Sequence, residues 1–111
     1  MPLSDRELER YSRQILLPEI DDRGQERLLQ SRVAVRGPAW AAVLLSQYLE
    51  AAGVTVETHR EPETHPAPLT VEGGGRRWQA SVPAGTGAAM VAVGYLGTAV
   101  LLDLARGGES A

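Results

Sequence analysis

The 111-residue chain contains no cysteine, which excludes disulfides, a thiolate nucleophile and any cysteine-ligated zinc site. It contains no phenylalanine either, so its core must be aliphatic around two Trp and three Tyr. Lysine is missing as well. Neither charge sign dominates: the net charge is −3, and no basic patch is interleaved with aromatics. That pattern argues against nucleic-acid binding. Only two histidines, His59 and His65, are present, both in a polar, Pro-rich region. They are read as loop residues rather than as ligands of a metal, and no metal site is expected. The N-terminus is charged from Asp5 onward, unlike a secretory signal, and a cytoplasmic location is expected.

One long stretch lacks charge. Val82 to Leu102 has about the length of a membrane span. Pro83, Gly85 and Gly87 break its start, however, so the helix should begin near Thr86 and fall short of a span. A buried core or interface helix is expected there, with no membrane involved. At 43% hydrophobic and 23% charged residues, the composition is that of one folded domain with a modest core.

Local signals then divide the chain. Ser4-Asp5-Arg6-Glu7 fits a capping box ahead of a short helix carrying Leu8 and Tyr11 on one face. Asp21 and Asp22 open a second short helix, GQERLLQ, where their charge suits the positive helix end. Arg32 to Arg36 reads as a strand with Val33 and Val35 on one side. Pro38 fits the first turn of the helix that follows, since its missing N–H is no loss there. Trp40, Val43, Leu44, Gln47, Tyr48 and Ala51 recur at helical spacing, and Gly53 ends that helix. VTVETH alternates as a second strand, residues 60–68 form a loop or linker, and LTVE and RRWQASV flank Gly73-Gly74-Gly75 as a hairpin. A helix from Thr86 to Ala105 closes the series. The expected fold is α/β, a minimal Rossmann-like unit of N-terminal helices, strand–helix–strand, β-hairpin and long C-terminal helix.

The words LSDRELERYSRQILLPEI, GQERLLQSRVAVRG and SQYLEAAGV, in this order, resemble the ThiF/MoeB/HesA family, bacterial relatives of ubiquitin-activating enzymes. The resemblance covers residues 3–54 densely and residues 83–104 weakly, and makes residues 1–111 a single truncated domain of that type. It implies an ancestry of MgATP-dependent adenylation of a ubiquitin-like or sulfur-carrier protein, by dimers. The departures are as informative. Of the family's glycine-rich phosphate turn only Gly37 is kept, and Pro38, Ala39, Trp40, Ala41 and Ala42 stand in the other positions. Pro38 removes a backbone donor, and Trp40 puts bulk where bare backbone should meet phosphate. The family's catalytic lysine, its Asn–Arg–Gln segment, its magnesium-binding aspartate and its paired cysteines have no counterpart.

For the carboxylate that would hold ribose, Glu57 and Glu61 are both candidates, against a reading of each as a solvated strand end. By the resemblance, Arg13 would reach into a partner's site and contact ATP phosphates, with Arg10 beside it. The competing reading pairs both arginines with Glu7, Glu9 or Glu19 on a solvated helix. Trp40 is expected to fill the space left by the absent nucleotide.

These departures lead to a catalytically inactive binding, scaffold or regulatory subunit, with no cofactor of its own and ATP only through a partner's site. Its expected partners are a second copy or a full-length activating enzyme, and a ubiquitin-like or sulfur-carrier protein. Two alternatives stand beside it: an enzyme subunit supplying Arg13 in trans, and a residual nucleotide-binding module. The dimer is expected to use Tyr11, Met90, Val93, Leu96 and Val100, because a helix that is apolar all round needs cover on more than one side.

Overall fold

A computed structural model describes residues 20–107. Seven elements follow in order: α1 (Asp22–Gln30), β1 (Arg32–Pro38), α2 (Ala39–Ala51), β2 (Thr55–Glu61), β3 (Ala67–Gly73), β4 (Arg76–Val82) and α3 (Thr86–Ala105). The capping-box helix expected after Ser4, with Leu8 and Tyr11, lies outside the described residues, as do Arg10 and Arg13.

Helix α1 starts where its acidic cap predicts. The Asp21 carboxylate accepts from the Gly24 amide at 2.7 Å, so it satisfies one of the free N–H groups of the first turn. At the far end of α1, Leu28 is fully buried, and the Gln25 amide group donates to the Ala52 carbonyl at 2.8 Å. That bond ties α1 to the end of α2.

The sheet has the order β2-β1-β3-β4. Strands β1 and β2 are parallel, joined through α2 as a strand–helix–strand unit, and β3 and β4 run antiparallel. Gly74 and Gly75 form the two-residue hairpin between β3 and β4, and their φ values of 59° and 76° suit the twist of the flanking strands. The hairpin thus takes the place beside β1 where a doubly wound sheet would continue with a parallel strand.

Strand alternation sorts the side chains into two faces. Val33, Val35, Leu69, Val71 and Val82 lie on one face, under α2 and α3, and all are buried. Thr58 on this face donates to Ser46 Oγ of α2 at 2.7 Å, and Trp78 Nε1 donates to Asp103 Oδ2 of α3 at 2.8 Å. The other face carries Arg36, Glu57, His59, Glu61, Glu72, Arg77 and Gln79, a polar ladder that no described helix covers.

Several boundaries differ from the sequence reading. Strand β1 runs on through Gly37 and Pro38, which pair in register with Arg60 and Glu61 of β2. Pro38 is therefore the last strand residue and caps α2 rather than lying in its first turn. Both strands lengthen together, so the loop expected over residues 60–68 shrinks to 62–66. In α2 the buried side is Ala41, Ala42, Leu44, Leu45, Tyr48 and Leu49, whereas Gln47 and Ala51 face solvent.

Helix α3 begins and ends at the residues expected. Contrary to the expectation that it would fall short of a span, it is long and apolar enough, by length and composition, to cross a membrane. In this fold it lies on β4 and between α1 and α2. Val93, Leu96 and Val100 are buried in the chain's own core, which corrects their assignment to a dimer face; the sheet and two helices supply the cover they need. The side of α3 left bare carries Val91 and Tyr95, at 72% and 76% exposure, while Met90 is half-buried.

Tyr48 marks the α2–α3 contact. Burial pushes its hydroxyl above the ordinary value of 10.0, and the bond to Thr98 pulls it only partly back. The folded chain thus holds this proton to a higher pH than the unfolded chain does. Its contribution is complete below pH 10.0 and is lost as pH rises through the folded value. No lysine titrates nearby in pH to obscure the effect. Denaturant melts between pH 8 and 11.5 should show the midpoint falling on the alkaline side, and Tyr48→Phe should flatten that limb. An unchanged limb in the variant would assign the loss to other groups.

Candidate functional site

The site to examine is the junction of β1 and α2, where a dinucleotide fold places phosphate on a helix N-terminus. Here no loop separates the elements. Strand β1 ends at Pro38, and α2 begins at Ala39. Gly37, the one glycine kept, does not face a ligand. A Cβ on it would come 2.8 Å from Leu69 Cδ1 and 3.0 Å from the Pro68 carbonyl oxygen. Its smallness lets β3 lie close against β1. The glycine is a packing residue.

The N-terminus of α2 already holds an anion. The Trp40 amide donates to Glu63 Oε1, reaching across 23 positions of sequence. Glu63 Oε2 in turn lies 3.4 Å from His65 Nε2. A carboxylate at this end of a helix suits both the free N–H groups and the helix dipole. It takes up an N–H group of the first turn, the kind of donor that binds phosphate in a dinucleotide fold. Sequence reasoning missed Glu63, which it left in a Pro-rich loop. The available signal was topological: the chain leaves parallel β1 and β2 at the same end of the sheet, and Pro38 pairs with Glu61 two residues before Glu63.

Beside this contact lies an open cleft of about 240 Å³, lined by Trp40, Glu63, His65, Pro83, Gly85, Thr86 and Ala89. Trp40 is half-buried at its wall, packed partly on the core. The expectation that Trp40 fills the vacated space is thereby corrected, because the indole borders a cleft that is still open. A smaller effect follows for Trp40→Ala, about 1–2 kcal/mol by denaturant melts, against ~3–5 for a fully enclosed aromatic. A loss above that would mean that the indole is enclosed in solution.

The remaining candidates are spread apart. Glu57 is exposed and faces His59 at 3.3 Å, whereas Glu61 faces Arg36 at 3.8 Å on the polar side of the sheet. Neither lines the cleft. His59 on β2 and His65 in the loop each face a different glutamate. Among the described residues no group of three or more His, Asp or Glu could hold a metal ion.

Over 48 residues the chain is 50% identical to the sulfur carrier protein adenylyltransferase of Thermus thermophilus, covering 43% of this chain and 18% of that protein. Over 52 residues it is 50% identical to the molybdopterin-synthase adenylyltransferase of Escherichia coli, covering 47% of this chain and 21% of that protein. About half of the chain is similar in sequence to ThiF/MoeB-type adenylyltransferases, as a truncated member of that family would be. A third relative, the adenylyltransferase and sulfurtransferase MOCS3 of Mus musculus, is 54% identical over 52 residues, 47% of this chain and 11% of that protein. The chain thus spans about a fifth or less of the length of these ThiF/MoeB-type relatives. No family model matches it, and no solved structure does.

Proposed function

We propose that this ThiF/MoeB-like chain is catalytically inactive and works as a binding, scaffold or regulatory subunit. The observation that carries the reading is the Glu63 carboxylate on the α2 N-terminus, where it engages a backbone N–H of the turn that binds phosphate in dinucleotide folds. A bound triphosphate would have to displace that carboxylate and would meet its repulsion. That contact counts against the alternative of a residual nucleotide-binding module.

The relatives are named for adenylating sulfur carriers and molybdopterin synthase, and one from Haloferax volcanii is a SAMP-activating enzyme E1. Partners of that class, a ubiquitin-like or sulfur-carrier protein or an active activating enzyme, are the natural ones for this chain, in the cytoplasm. A second copy is the other partner, meeting through the bare side of α3 at Val91 and Tyr95. The retained RYSRQ word keeps a second reading alive, in which Arg13 completes a partner's adenylation site.

Calorimetry of the isolated protein with MgATP tests the first reading, with no binding expected. Low-micromolar affinity, near −8 kcal/mol, would overturn it. Stimulation of a ThiF/MoeB-type enzyme's adenylation by the wild type, lost in Arg13→Ala, would favour the second.

A further inference from the structure

A second cleft, of about 220 Å³, lies between the start of α1 and the end of α3. Its walls are Ile20, Asp21, Arg23, Arg27, Leu102, Ala105 and Arg106, so three guanidinium groups surround it against one carboxylate. That carboxylate is already engaged, since Asp21 accepts from the Gly24 amide as the cap of α1. Asp22 and Glu26 share α1 with two of the arginines but do not line the cleft, and Asp103 is turned to Trp78. Arg27 is fixed in place: its Nη1 donates to the Ala105 carbonyl at 2.9 Å, and Gly107 lies against its side chain. Arg23 stands one turn before it on α1, and Arg106 is the residue that caps α3. Among the described residues neither Arg23 nor Arg106 has a carboxylate within ion-pair distance.

We infer that this cleft binds an oxyanion, the phosphate group of a small molecule, held by Arg23 and Arg106 with Arg27 behind them. The planar, multiply donating guanidinium suits the oxygens of a phosphate better than a point charge does. Among the described residues these two guanidinium groups, around one concave space, have no carboxylate partner and leave a positive charge that a dianion would neutralise. Ile20, Leu102 and Ala105 add an apolar side to the same walls, which suits a phosphate carried on an organic body. This site lies away from the α2 N-terminus, with no residue shared between the two clefts, and does not depend on whether the chain has lost adenylation.

Titration of the full chain with inorganic phosphate and with phenyl phosphate, at constant ionic strength, tests it by NMR of the arginine side chains. Shifts at Arg23, Arg27 and Arg106 are expected, and Arg23→Gln or Arg106→Gln should weaken binding about tenfold each, the effect of losing one charge-assisted bond. Both variants change exposed side chains, and their circular dichroism should match the wild type. Tighter binding of phenyl phosphate would identify a phosphate ester as the ligand, and equal binding would identify free phosphate. Absence of shifts, or equal affinity in the variants, would overturn the site.

Discussion

A glutamate in place of Leu96 is expected to leave the chain unfolded at neutral pH, whereas one in place of Val91 leaves it folded. Both residues lie on α3, five positions apart, and both are apolar. Leu96 is almost completely enclosed, while Val91 is 72% exposed. An ionised carboxylate at Leu96 would lose its water without gaining a cation, at a cost of several kcal/mol beyond the lost apolar contacts. A small domain has only about 5–15 kcal/mol of stability to lose. At Val91 the carboxylate stays hydrated. If two copies meet through the bare side of α3, Val91→Glu or Tyr95→Glu should convert a dimer to a monomer. Circular dichroism and light scattering at tens of micromolar separate the outcomes. A folded Leu96→Glu would contradict the packing of α3, and a wild-type monomer would sink the dimer.

The same helix shows how far the sequence could be read. Its limits, Thr86 and Ala105, were legible because Pro83 and Gly85 precede it and a Gly pair follows it. Its buried side was not, because Ala, Val and Leu run around it without a polar stripe to mark the outside. Only the neighbours decide the matter: β4, α1 and α2 cover Val93, Leu96 and Val100 and leave Val91 and Tyr95 bare. Local chemistry was the more legible kind. Asp21 caps α1 through a contact three residues away, and Gly74-Gly75 turn the hairpin within their own bond geometry.

The candidate site was legible in its degeneracy and illegible in its replacement. The loss of glycines from residues 38–42 is plain in the letters, but the letters suggested a damaged turn. The parallel pairing of Gly37 with Arg60 and Pro38 with Glu61 instead carries β1 through Pro38, and α2 follows directly from Ala39. Pro38 can end β1 because a proline is tolerated at a strand terminus, where one missing donor costs little. Glu63 could not be assigned from sequence, since its contact with Trp40 exists only once β1 and β2 are side by side.

Gly97→Ala is the second substitution with a large expected effect, and its sign opposes the usual rule. Within a helix this change ordinarily stabilises by about 1 kcal/mol, because glycine has more backbone freedom to lose. At position 97 the new Cβ would fall inside the ring of Tyr48, against Cδ2 and Cε2, with Leu45 Cδ1 only 3.2 Å away. Tyr48 cannot simply swing aside. Its ring is buried, and its hydroxyl is within hydrogen-bond distance of Thr98 Oγ1 at 3.2 Å. The α2–α3 contact must therefore open or the ring must leave its rotamer, and overpacking of this kind costs ~1–3 kcal/mol or more. A net loss of about 2 kcal/mol is expected for Gly97→Ala by denaturant melts. Removing the ring isolates the cause: in a Tyr48→Ala background the same substitution should cost little, because the atoms it strikes are gone. A raised midpoint for Gly97→Ala alone would show that α2 does not lie against α3 through this glycine. An equal loss in both backgrounds would place the strain in the backbone of α3 rather than in its contact with Tyr48.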